Sequence, residues 1–274
     1  MPNSEIIIIG GAGKTGGRIA ERLTRKDLTF RFASRSTARP FDWEKPADWS
    51  ATLIGARSAY VSFQPDLVVS WAADAIGALA STAVDCGLTH IVLLSGRGEE
   101  GAQRAEEALK ASGIGYTILR ASWFCQNFSE GVFAEPVAAG ELALPAGAVK
   151  EPFIDAGDIA DAAVAALTDP RHIGKTYELT GPRALTFRGA IAEIAAACGR
   201  NIAYRQISMA EFKEGLRAAG LPKDMIDLLE ELFTQVLDGR NSHVGSGIVE
   251  MLGHPARDFA DCACDAAANG TWRI

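Results

Sequence analysis

Four isoleucines, Ile6 to Ile9, run directly into the glycine triplet Gly10-x-x-Gly13-x-x-Gly16, and Arg18-Ile19-Ala20-Glu21-Arg22-Leu23 follows with helical amphipathicity. The order is strand, tight turn, helix. Gly13-Lys14-Thr15 also looks like the end of a phosphate-binding P-loop, but that loop needs its first glycine at position 8, where Ile8 stands. The glycine count instead suits a turn whose backbone approaches a pyrophosphate at the helix N-terminus. Dinucleotide binding is the expectation, with Gly10, Gly11, Ala12, Gly13, Lys14, Thr15 and Gly16 forming the cradle.

The pattern of the first half supports that expectation. Strands are expected at 5–10, 29–33, 59–63, 90–94 and 116–120, and helices at 15–26, 67–86 and 99–111. Such alternation implies an α/β fold of Rossmann type, a doubly wound parallel sheet with helices on both faces. After residue 130 the pattern loosens, with a short hairpin expected around Pro136 to Gly147. Helices are expected near 158–168, 186–198, 209–219, 222–237 and 256–268, with short strands at 176–179 and 203–206. The division expected is a dinucleotide-binding domain over 1–130, its sheet completed by later strands, and a smaller C-terminal α/β substrate lobe over 131–274.

Composition narrows the partners. A net charge of −7 without a basic stretch argues against nucleic acid. No apolar run reaches the ~20 residues of a membrane helix, and the first residues lack a signal-peptide pattern, so a cytoplasmic monomer or homodimer is expected. The five cysteines are scattered and odd in number, which argues against a disulfide framework. Cys262-Ala-Cys264 lacks a second close pair, and the four histidines are not spaced for a metal, so none is expected. His90, His243 and His254 are expected in surface or capping roles.

The end of the second strand meets the adenosine ribose. Phe32-Ala33-Ser34-Arg35-Ser36 carries no acid, and Arg35 flanked by Ser34 and Ser36 suits a 2′-phosphate. NADP is therefore expected over NAD, with Lys14 as a second cation. Asp42 is a candidate adenine contact. Phe63, Gln64 and Pro65 should flank the cofactor after the third strand, Ser95 and Gly96 after the fourth, and Ala121 and Ser122 after the fifth.

Longer stretches carry a family likeness. "HIVLLSG" at 90–96, "SGIGYTILRASWFCQNF" at 112–128, "PFIDAGDIADAAVAALTD" at 152–169 and "GKTYELTGPRALTF" at 174–187 resemble the NmrA-like group of atypical short-chain dehydrogenase/reductases. "GGAGKTG", "FDWEKPADW" at 41–49 and "RNSH" at 240–243 are similar to the ergot-alkaloid dehydrogenase-like branch. That resemblance implies an NADPH-dependent reductase; fungal members of the branch reduce a cyclic iminium. Two departures stand out. The group's Phe-x-Glu-Asn reads Phe124-Cys125-Gln126-Asn127 here, and the superfamily's Tyr-x-x-x-Lys pair is missing, Lys110 being the only lysine between His90 and Ser112. Ser95 matches the superfamily's serine position and is the catalytic candidate.

Without a tyrosine to protonate an alkoxide, reduction of a plain ketone is difficult. An iminium already carries positive charge, and hydride arrival leaves a neutral amine. The missing pair therefore fits an iminium, a quinone or another conjugated small molecule better than a plain carbonyl. Trp123, Phe124, Asn127 and Phe153 are the substrate candidates, the rings by stacking on a flat cation; each ring equally suits core packing. Glu99 and Glu100 are placed to stabilise a cation or to serve a helix dipole. The "RNSH" segment at 240–243 lines a substrate entrance if the branch likeness holds. A second class remains open at this point: a redox-sensing regulator that binds dinucleotide without turnover and signals through a partner protein.

Overall fold

The computed structural model describes residues 5–273. The first half alternates as β1 (Glu5–Ile9), α1 (Gly16–Arg25), β2 (Phe30–Ala33), α2 (Trp49–Leu53), β3 (Ala56–Ser62), α3 (Ala72–Asp85), β4 (His90–Gly96), α4 (Glu100–Ala111) and β5 (Gly115–Ala121). Then come α5 (Ala134–Ala139), β6 (Glu141–Leu144), β7 (Lys150–Glu151), α6 (Ala156–Thr168), β8 (Lys175–Leu179), β9 (Leu185–Thr186), α7 (Phe187–Cys198) and β10 (Ala203–Gln206). Four further helices follow: α8 (Met209–Ala218), α9 (Lys223–Glu231), α10 (Gly247–Leu252) and α11 (Phe259–Ala268).

Contacts divide the chain into two compact units. The first comprises the chain up to Ala121, Ala156–Leu179 and Ser246–His254; the second comprises Ser122–Asp155, Thr180–Gly245 and the chain from Pro255 onward. Beside the expected boundary after residue 130, with the sheet completed by later strands, the chain returns to the first unit twice, with α6 and β8 and again with α10.

The first unit is an all-parallel six-stranded sheet in the order β2-β1-β3-β4-β5-β8. The order reverses between β1 and β3, which makes the carboxyl ends of those strands the place where a ligand crosses the sheet. Ile6 to Ile9 are all buried, as expected of a strand covered on both faces. On α1, Ile19, Ala20 and Leu23 turn inward. Small residues bring α3 and α4 together: a methyl on Gly77 would sit 3.6 Å from the Ala108 methyl.

The second unit holds two short sheets, β6 parallel to β10 and β7 antiparallel to β9. The hairpin expected at 136–147 is not formed. Residues 134–139 are helical, Gly140 ends that helix at φ 96°, and β6 finds its partner in β10. The helix expected at 222–237 is α9, followed by a π-turn over Leu232–Val236. Its aromatic core joins Phe128, Phe133, Phe153, Phe187, Phe233 and Phe259.

At the amino ends of β4 and β5, His90 is 5% exposed, not in the surface or capping role expected. Its Nε2 pairs with Thr117 Oγ1 at 2.9 Å, and that hydroxyl donates to the His172 carbonyl at 2.8 Å. Burial, then the nearby His172, push the His90 imidazole down to about 4. A neutral folded histidine stabilises fully above its unfolded value of ~6.5 and loses that contribution as pH falls toward 4. The drop corresponds to roughly 3 kcal/mol. Urea unfolding at pH 7.0 and 4.5 should show this loss, and His90→Gln, which keeps a partner for Thr117, should lose less between the two pH values. Equal losses in both proteins would remove His90 as the cause.

Candidate functional site

The glycine turn is built for close approach. Gly10 adopts φ +89°, a region that disfavours side chains, and the Gly13 amide donates to its carbonyl at 3.0 Å. A Cβ on Gly16 would lie 2.5 Å from the Gly10 oxygen and 2.6 Å from Gly11 Cα. The first turn of α1 is thereby pressed against the loop, with Ala12 exposed and Gly13 and Lys14 half-buried. The result is a backbone cradle at a helix N-terminus, and it fits a pyrophosphate. The Thr15 side chain is 2% exposed and accepts a hydrogen bond from the Tyr60 hydroxyl at 2.8 Å, inside the unit.

The loop after β2 is compact. The Ser34 carbonyl accepts from the amides of Thr37 and Phe41, and the hydroxyls of Ser34 and Ser36 lie 3.2 Å apart. Arg35 is exposed between them. One exposed guanidinium with two hydroxyls beside it is a donor set that suits a phosphate. Asp42 turns its carboxylate to its own loop, accepting the Glu44 amide at 3.1 Å, while its carbonyl accepts from Trp49 Nε1 at 2.7 Å.

Phe63 is enclosed, with Trp43 at 4.5 Å and Trp71 at 4.8 Å between ring centroids. The flanking surface after β3 is supplied instead by exposed Gln64 and Pro65, joined by a cis peptide, and by Trp71 at 39% exposure. Trp43 and Trp71 escaped the sequence reading, although Trp43 lies in the quoted "FDWEKPADW".

The ends of β4 and β5 are paired in register, Ser95 with Arg120 and Gly96 with Ala121. Ser95 is 4% exposed and its hydroxyl donates to Glu106 Oε1 at 2.6 Å. Arg120 holds the same carboxylate through Nε at 2.9 Å and Nη2 at 2.6 Å. Ser95, the catalytic candidate, is therefore part of a buried ion-pair cluster and its proton is directed to Glu106. The Glu106 carboxylate in turn pushes the Arg120 guanidinium pKa up. Arg97 pairs with Glu178 at 3.0 Å, and its amide donates to the Ala121 carbonyl at 3.1 Å.

Ser122, Trp123, Phe124, Asn127 and Phe153 belong to the second unit. Ser122 is buried, and Trp123, Phe124 and Asn127 are half-buried. Trp123 packs on Phe133, Phe187 and Phe233, and Phe124 forms a bridge with Ile154. Phe153, expected to face substrate, is 2% exposed and surrounded by Phe128, Phe187 and Phe259, so its ring is a core element. Gln126 explains one departure from the family pattern. Its amide donates to Asp155 Oδ2 at 2.8 Å, and Cys262 Sγ lies 2.9 Å from that oxygen. A glutamate at 126 would set two carboxylates against each other there. In the 240–243 segment, Asn241 donates to the Val236 carbonyl and Ser242 to that of Lys150, both structural ties.

Among the described residues no group of three metal-ligating side chains is found, and no helix is long and apolar enough to cross a membrane.

Comparison with known proteins agrees with this geometry. The model of the NmrA-like family matches residues 103–246. The chain is 30% identical to the NAD(P)H azoreductase of Xenophilus azovorans over 97% of this chain and 99% of that one. It is 31% identical to the agroclavine dehydrogenase of Claviceps fusiformis, covering 95% and 96%. The NADPH-dependent quinone oxidoreductase QOR2 of Escherichia coli, solved with NADPH, superposes with a TM-score of 0.82 over 95% of this chain and 99% of that one, at 24% identity.

Proposed function

We propose that this chain, which belongs to the NmrA-like family, works as an NAD(P)H-dependent reductase of small conjugated acceptors. The observation that carries the reading is the backbone cradle at Gly10–Gly16, placed at the switch point of a parallel sheet. Near-full-length relatives named as an azoreductase and a dehydrogenase support an enzyme over a non-catalytic sensor.

Each part of the chain has a task in this reading. The turn amides and the start of α1 hold the pyrophosphate, and Arg35 with Ser34 and Ser36 holds a 2′-phosphate, which favours NADP over NAD. The strand ends at Gln64, Pro65, Gly96 and Ala121 seat the ribose and nicotinamide. Bound there, the dinucleotide would supply a hydride to the acceptor. The protein's contribution is positioning, which needs no tyrosine–lysine pair when the acceptor is an iminium or a quinone. We further place the chain in the cytoplasm as a monomer or homodimer, in keeping with five free cysteines.

Fluorescence titration with NADPH and NADH tests the cofactor assignment. Arg35→Ala should weaken NADPH binding about tenfold, the loss of one charge-assisted contact, and leave NADH within twofold. Equal weakening for both nucleotides would remove Arg35 from the phosphate. Absence of binding by either nucleotide would overturn the reductase reading.

A further inference from the structure

The carboxyl end of α1 forms one side of a cavity that lies apart from the glycine turn. The cavity measures about 460 Å3, and every residue lining it belongs to the first unit. α1 starts beside the cradle at Gly16 and ends at Arg25, which puts its two ends ~15 Å apart by the rise of an α-helix. A molecule in the cavity and a pyrophosphate in the cradle would therefore sit at opposite ends of one helix.

The lining is divided by chemistry. Val164 and Ala165 of α6 and Leu252 of α10 supply an apolar floor. Thr168 adds no donor, because its hydroxyl donates to the Val164 carbonyl at 2.7 Å. Arg22 and Asp161 form one wall and neutralise each other. The guanidinium holds both carboxylate oxygens through Nε and Nη2, and it also donates to the carbonyls of Arg18 and Gly157 at 3.1 Å. Arg25 and Lys26, both exposed, stand at the rim. Asp161 is the one acid of the lining, so with Arg22 occupying it the charge left at the rim is positive, in a chain whose net charge is −7.

Cations in a last helical turn ordinarily serve its open carbonyls. Here backbone amides already do so. The Lys26 amide donates to the Arg22 and Leu23 carbonyls, that of Asp27 to Thr24 and that of Leu28 to Leu23, all at 3.0–3.1 Å. Lys26 Nζ has no ion-pair or hydrogen-bond partner among the described residues. Arg25 has Glu21 one turn back at 3.8 Å, an exposed pair of the kind that contributes little and is easily exchanged.

We propose that this cavity binds a small amphipathic anion, a carboxylate on a short apolar body. Lys26 and Arg25 take the head, and Val164, Ala165 and Leu252 surround the body. The volume is that of an ordinary small-molecule site, and the two parts of such a ligand match the two parts of the lining. A bare anion would leave the floor wet, and a neutral hydrocarbon would leave the cations unused. The inference stands apart from the reductase reading, since no residue of the cradle takes part.

Octanoate is the probe, titrated calorimetrically into the full chain. It should bind at least about tenfold more tightly than 1-octanol or inorganic phosphate, each of which meets only one part of the lining. Lys26→Gln should weaken octanoate about tenfold, the loss of one charge-assisted contact, and leave octanol within twofold. Ala165→Phe, which fills the floor and keeps the charges, should weaken octanoate by at least as much. Lys26→Gln changes an exposed side chain, so it tests the site even where Ala165→Phe disturbs its helix. Octanoate affinity should be the same with and without saturating NADP+. Equal affinity for octanoate and octanol, no octanoate binding, or an octanoate affinity untouched by Lys26→Gln would overturn the site. Competition between octanoate and NADP+ would place the anion in the dinucleotide site and overturn it as well.

Discussion

Gly16→Ala is expected to weaken NADPH binding by on the order of a hundredfold, the equivalent of roughly 3 kcal/mol of forced displacement in a packed backbone. The neighbours of the added methyl are the Gly10 oxygen at 2.5 Å, Gly11 Cα at 2.6 Å and the Gly11 carbonyl carbon at 3.0 Å. All are backbone atoms of the cradle, so none can rotate away as a side chain would. The turn must open or α1 must retreat, and either movement disperses the amides that face the pyrophosphate. Gly17→Ala is the internal control. A Cβ there meets only the Gly11 oxygen, at 3.9 Å, and the position lies within α1. That variant should bind NADPH within twofold of the unmodified protein and gain up to about 1 kcal/mol from better helix propensity. Isothermal titration of both variants decides the matter. Similar affinities for the two would mean that the glycine triplet serves the turn alone and not a ligand.

The parts of the fold readable from sequence were those whose residues faced one environment along their whole length. Ile6 to Ile9 are apolar at every position because the strand is covered on both faces, and no alternative element suits them. The start of the third helix was misplaced because the apolar pattern from Leu67 runs on through a loop. Val68 packs there against Gly101, whose Cβ would meet Val68 Cα at 2.5 Å, and regular helix begins only at Ala72. The 136–147 hairpin failed because Gly140 and Pro145 mark turns without saying which strand is the partner. The partner of β6 is β10, some sixty residues away. In the candidate site, the glycine spacing was legible because it encodes backbone geometry. The environment of Ser95 was not legible, because position in a strand gives the direction of a side chain but not its hydrogen-bond partner. A signal for that partner did exist. Ala102, Ala105, Glu106 and Leu109 follow the i, i+3, i+4, i+7 stripe of a buried helix face, and a glutamate within that stripe demands a cation.

Glu106→Ala is expected to cost about 3–5 kcal/mol of stability, the usual penalty for removing one member of a buried ion pair. Glu106 has no exposed surface, and it receives the Ser95 hydroxyl and two nitrogens of Arg120. Its removal leaves a guanidinium only 26% exposed, and a buried hydroxyl, without that acceptor. Urea unfolding at neutral pH should show the midpoint fall with the slope unchanged. Most of the loss should return in Glu106→Leu combined with Arg120→Met and Ser95→Ala, because an apolar cluster of similar volume has no desolvation cost to offset. A loss below about 1 kcal/mol in Glu106→Ala would place the pair in the range of surface ion pairs, and the cluster would then not be the anchor it appears from its burial. The location gives the cluster its functional weight. Arg120 and Ser95 face each other one residue before Ala121 and Gly96, so the same three side chains that stabilise the sheet also fix the strand ends proposed to seat the nicotinamide. Stability and NADPH affinity should therefore fall together in Glu106→Ala.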